Sequence, residues 1–161
     1  MISLTFSGSD ATLIARFERK ANLAVHALAS KLQALNFQLQ AKIVGEKLSG
    51  QVLNQRTGKG AASVRALQVE QEPGQIRGSV QAGGGPAFYM RIQEKGGTSD
   101  YTIAPVDKKV LAFMMDGKQV FAKMVHHPAL KARPFMSTSL NEMSPEIVEG
   151  LQLTLNEVAA Q

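Results

Sequence analysis

Leu13, Phe17, Ala21, Ala24, Leu28, Leu32, Leu35 and Leu39 recur at steps of three and four, the period of one helix face. That run commits the N-terminal part of the chain to one long helix. Ser9 or Asp10 can cap its start, because a short side-chain oxygen accepts from amide groups that have no partner in the helix. Gly45 and Gly50 mark its end, with a short apolar piece around Leu48, Val52 and Leu53 beyond. A helix of about 35 residues is long for a small domain. It either kinks or crosses the whole molecule.

Two hairpins follow. Pro73-Gly74 is a turn centre, since proline presets φ and glycine accepts a positive one. Pairing Glu72 with Gln75 sets Val69 opposite Gly78 and Leu67 opposite Val80, with Arg77, Ser79 and Gln81 on the other face. Asp116-Gly117 is a stronger hairpin signal. Pairing Met115 with Lys118 sets Phe113 opposite Val120 and Leu111 opposite Ala122, a face expected in the core. Its reverse holds Val110, Ala112, Met114 and Phe121 beside Gln119 and Lys123. A ribbon apolar on both sides needs two covers. The second is either a helix of the same chain or a neighbouring protomer.

Between the hairpins, Gly83-Gly84-Gly85-Pro86 breaks the chain. Phe88, Tyr89 and Ile92 then indicate a short helix ending at Gly96-Gly97, and Tyr101–Pro105 a short strand. The tail resumes helix, with Ser144 as cap, Pro145 in the first turn, and Ile147, Val148, Leu151, Leu155 and Val158 on one face. These elements predict an α+β fold: a small antiparallel sheet built from hairpins, packed by a long N-terminal helix and a C-terminal helix. No boundary or repeat divides residues 1–161, so a single domain is expected.

The chain has no cysteine, which excludes disulfides and thiolate zinc sites. No apolar run approaches the roughly 18 residues that span a bilayer, so no membrane partner is expected. Met1–Phe6 lacks the basic start and apolar core of a signal peptide, which points to cytosolic synthesis. Of the formal net charge of +5, the residues from Pro134 to Gln161 contribute −4 and the first 133 contribute +9. Such a basic body and acidic tail fit a nucleic-acid partner, another copy of the chain, or plain solvated charge.

Groupings that carry chemistry are weak. His126 and His127 are adjacent, and neighbours in an extended segment point to opposite sides, so they do not share an ion readily. His26 has no partner motif. Thr57-Gly58-Lys59-Gly60 lacks the spacing and the hydroxyl of a phosphate loop, and Gly83-Gly84-Gly85 lacks the alternation of a dinucleotide site. No Ser/His/Asp set sits in a strand–turn–helix signature. Glu94, beside Phe88-Tyr89, is the one carboxylate to weigh as an acid or base; a structural hydrogen bond at a helix end is its simpler use. No enzyme, metal or cofactor is expected.

Two features favour binding. Arg56, Lys59 and Arg65 form a basic loop able to meet DNA electrostatically and without sequence preference, since aromatic content is 6% with no tryptophan for base stacking. Met114, Met115, Met124 and Met136 suit an exchangeable interface or simple core filling. The segment His126–Met136, with Pro128 and Pro134, joins the second hairpin to the tail helix. Its Arg133, Pro134 and Phe135 are candidates to dock that helix or a neighbouring subunit.

The ordered motifs are similar to those of the head–tail joining, or tail-completion, proteins of long-tailed bacteriophages. The matching stretches are Leu48–Asn54, Arg56-Thr57-Gly58, Tyr89, Gln93–Gly96, Ile103–Pro105, Lys109–Phe113, Gly117–Ala122, and His127-Pro128 through Ala132–Met136. Ala129 departs from the glycine common after His-Pro in that family. The resemblance implies a non-enzymatic assembly protein of the virion neck or tail, made in the host cytoplasm. It also implies a homo-oligomeric ring around the DNA channel, a hexamer being one size, with other neck and tail proteins as partners. A ring interface is heterologous, so Val110, Met114, Phe121 and the docking segment are its candidate surfaces.

Overall fold

The structure, a computed structural model, describes residues 11–53, 57–97 and 99–160, with side chains from residue 14. The Ser9 or Asp10 cap and Arg56 lie outside the described residues. Helix α1 (Ala11–Lys42) passes into a wider π-type stretch, Ile43–Gln51, that breaks at Gly50. Gly45 therefore lies inside the helical run and does not end it. A short helix α2 (Lys59–Ala62) leads to strands β1 (Arg65–Ala66), β2 (Glu70–Glu72), β3 (Gln75–Arg77) and β4 (Val80–Gln81). Helix α3 (Tyr89–Lys95), strands β5 (Tyr101–Ile103), β6 (Leu111–Met115), β7 (Lys118–Ala122) and β8 (Val125–His127), and helix α4 (Met136–Ala159) complete the order. Among the described residues the strands pair antiparallel as β1–β4, β2–β3, β5–β8 and β6–β7, small two-stranded sheets of hairpin strands. The α+β class holds. No helix among the described residues is long and apolar enough to cross a membrane.

Helices α1 and α4 run antiparallel. Lys20 Nζ donates to the Ala159 carbonyl at one end, and Lys47 Nζ lies 2.8 Å from Glu142 Oε1 at the other. Lys47 is buried and Glu142 also meets Lys42 at 3.2 Å. Hydrogen bonds from Lys47 and then Lys42 hold the Glu142 carboxyl below the usual carboxylate range, so the link is ionised at neutral pH. The core gathers at this second end: Leu35, Leu39, Ile43 and Leu48 meet Val64, Ala87, Met90, Phe135 and Met143. Only the C-terminal half of the α1 apolar stripe is sealed there. Phe17 is 66% exposed, because α4 ends beside Lys20 and does not reach it.

The first hairpin departs from simple arithmetic in an instructive way. Glu72 pairs with Gln75 and Glu70 with Arg77, as the turn dictates, but Ala66 pairs with Val80. The ladder has slipped by one residue, and Leu67 donates to Ser79 O instead of facing Val80. The cause is α1. Gln40 Oε1 accepts from Ala66 N, Gln33 Oε1 accepts from Val69 N, and Gln33 and Asn36 both donate to Leu67 O. Helix side chains thus replace strand partners across the extra residue, a bulge tied to a helix. Gly78 makes the approach possible, because a Cβ there would lie 2.6 Å from Asn36 Oδ1 and 2.8 Å from Leu32 Cγ. Gly78→Ala is expected to cost about 1–3 kcal/mol by overpacking, measured by urea denaturation.

Helix α4 starts eight residues before the expected Ser144 cap, at Met136, and carries Pro145 in its interior. Proline removes one helical donor. The helix nonetheless continues, because its start is fixed by groups distant in sequence. Asn141, Ser144 and Pro145 all lie on its exposed side.

Candidate assembly surfaces

The β6–β7 hairpin is set by its turn. Asp116 and Gly117 have φ of 52° and 76°, and two successive positive values define the turn whose twist matches a two-stranded ribbon. The register is Met115↔Lys118, Phe113↔Val120 and Leu111↔Ala122, as expected from sequence. The expected burial is not found. Leu111, Val120 and Ala122 are only half-buried, Leu111 and Phe113 line a shallow hollow with Ile103 and Val125, and neither Phe113 nor Met115 joins the core. The reverse face is open, with Met114 66%, Phe121 62% and Val110 37% exposed. Neither α1 nor α4 packs extensively against the ribbon. Large apolar side chains clustered in this way mark an interaction surface.

The His126–Met136 segment is strapped to α3. Gly97 N donates to Leu130 O at 2.9 Å, and Arg133 N donates to Gln93 O at 2.7 Å. Phe135 is fully buried in the core, so it docks α4 within the chain and offers no surface to a neighbour. Arg133 and Pro134 are exposed and remain available for contact. Glu94, the carboxylate weighed as an acid or base, caps α4 instead. Its Oε2 accepts from Phe135 N (2.7 Å) and Met136 N (2.9 Å), and its Oε1 from Ser137 N (3.0 Å) and Ser137 Oγ (2.7 Å). Burial pushes its pKa up, but these four hydrogen bonds together outweigh burial and hold it below the ordinary value. The group is an ionised, saturated cap.

The two imidazoles turn to different neighbours. His127 stacks on Tyr101 with ring centroids 4.9 Å apart, and His126 Nε2 lies 3.5 Å from Asp100 Oδ2. Of the basic loop, Lys59 and Arg65 line one open groove of about 520 Å³ with Ser63, Gln81 and the Gly83–Pro86 turn. No local pattern in the chain signals that this turn faces them. It is folding of the first hairpin that brings the two regions together. Compared with protein-family models, with curated proteins and with solved structures, the chain has no match in any of the three.

Proposed function

We propose that the chain is a structural subunit of bacteriophage morphogenesis that joins or completes the tail at the head–tail interface. In this reading it performs no catalysis and self-assembles around the DNA channel of the virion neck with other neck and tail proteins. The observation that carries the proposal is the β6–β7 hairpin, whose Met114 and Phe121 are left open by folding. Assembly supplies the cover that the chain itself does not. The motif series resembling tail-completion proteins supports the same reading. Phe121→Asp combined with Met114→Asp is expected to abolish assembly while leaving the melting temperature nearly unchanged, as read by native mass spectrometry and calorimetry. A variant that assembles normally would remove the hairpin from the interface.

A second reading, a basic nucleic-acid-binding module, is favoured by the shared groove of Lys59 and Arg65. Within the assembly reading the same groove meets channel DNA without sequence preference. Lys59→Glu with Arg65→Glu is expected to lower the slope of log affinity against log salt by about 2, since each phosphate contact contributes about 0.9. Fluorescence titration of duplex DNA at several salt concentrations measures this. Strong sequence-dependent binding would place the second reading first.

A further inference from the structure

The open face of the β6–β7 hairpin needs a receiver, and helix α4 carries one. Glu146, Glu149, Leu153 and Glu157 recur at steps of three and four, so they form one stripe along α4. The stripe lies away from Met143, Ile147 and Leu151, which face the core. Leu153 is 54% exposed at its centre. α4 holds no lysine or arginine. Of its four carboxylates, Glu142 is taken by Lys42 and Lys47, while among the described residues Glu146, Glu149 and Glu157 make no ion pair.

The hairpin is the complement of this stripe. Its open face joins Met114 and Phe121 to Lys123 without a carboxylate, and Lys108 and Lys109 stand at the same end. None of these lysines is ion-paired among the described residues. Lengths also agree. A five-residue strand spans about 17 Å, and the eleven-residue step from Glu146 to Glu157 spans about 16 Å of helix.

We infer that the β6–β7 hairpin of one copy docks on the α4 stripe of a second copy, Phe121 and Met114 against Leu153, lysines against Glu146, Glu149 and Glu157. This rests on the self-assembly reading and adds to it the surface that receives the hairpin. Two alternatives are disfavoured by charge. Hairpin against hairpin would oppose lysine with lysine. The N-terminal part of α1, where exposed Arg16 and Arg19 outnumber Glu18 and Lys20 adds its charge at the end of α4, is basic and would repel the hairpin. Hairpin to helix is a heterologous contact, which continues from copy to copy and closes as a ring when the rotation allows.

The absence of cysteine makes the test clean. Phe121→Cys and Leu153→Cys are prepared separately and together, both positions being exposed enough to leave the fold intact by circular dichroism. Under mild oxidation, a mixture of the two single variants is expected to give a covalent dimer that neither gives alone. The double variant is expected to give a ladder of higher multimers. Adding Glu149→Lys to the double variant is expected to remove the ladder, and adding Lys123→Glu with it to restore the bands. Self-crosslinking of Phe121→Cys alone would overturn the inference in favour of a symmetric contact. No cross-link in a preparation that light scattering shows to be oligomeric would overturn it too, while sparing the assembly reading. A wild-type chain that stays monomeric at every concentration, with tail proteins present, would remove both.

Discussion

Phe135→Ala is expected to lower the unfolding free energy by about 3–5 kcal/mol, the cost of emptying a buried aromatic site. The ring is fully buried, packed among the residues that close the end of the α1–α4 pair. It also sits immediately before α4, so its removal loosens the helix start as well as the core. Domains of this size hold about 5–15 kcal/mol in total, and the variant should melt about 6–20 °C below the parent. Urea denaturation measures the loss, with Pro134→Ala, an exposed position, as a control expected to change little. Equal stability of Phe135→Ala together with lost assembly would contradict the core placement and return the residue to an interface.

Glu94→Gln is expected to cost about 2 kcal/mol, in the range of hydrogen bonds to a charged group. The carboxylate satisfies three backbone amides at the α4 start that no local side chain serves. A glutamine keeps one acceptor oxygen and turns an NH2 group toward the remaining donors, leaving at least one unmet. The effect carries a pH signature. The folded pKa of Glu94 lies below its ordinary, unfolded value. Its contribution is therefore complete above that value and is lost as pH falls through the folded pKa. The stability gap between parent and Glu94→Gln should be constant near neutrality and close in strong acid. A gap independent of pH would show that the cap does not act through its charge.

These two residues also mark where sequence was legible and where it was not. The second hairpin could be registered from Asp116-Gly117 alone, because a two-residue turn fixes every pair behind it. The first followed its turn as far as Glu70 and Arg77, then slipped where Gln33, Asn36 and Gln40 of α1 took over the strand partners. No local pattern encodes that substitution. The start of α4 precedes its local signal for the same reason: its cap comes from Glu94, 41 residues before Phe135. Ser144-Pro145 is a proper start signal overridden by a distant one. Alternation revealed that the β6–β7 ribbon is apolar on both sides. That one face is only half-buried and the other left open depends on long-range packing, which alternation does not carry. Phe17 likewise belongs to the core stripe by period and is exposed by position.

We propose that assembly of copies covers the apolar ribbon that folding leaves open. Native mass spectrometry of the chain, alone and with tail proteins, supported by negative-stain imaging, tests it most directly. A discrete closed oligomer is expected, lost in the Phe121→Asp, Met114→Asp variant and retained in Lys59→Glu. A strictly monomeric chain under all of these conditions, with its hairpin still exposed, would contradict it.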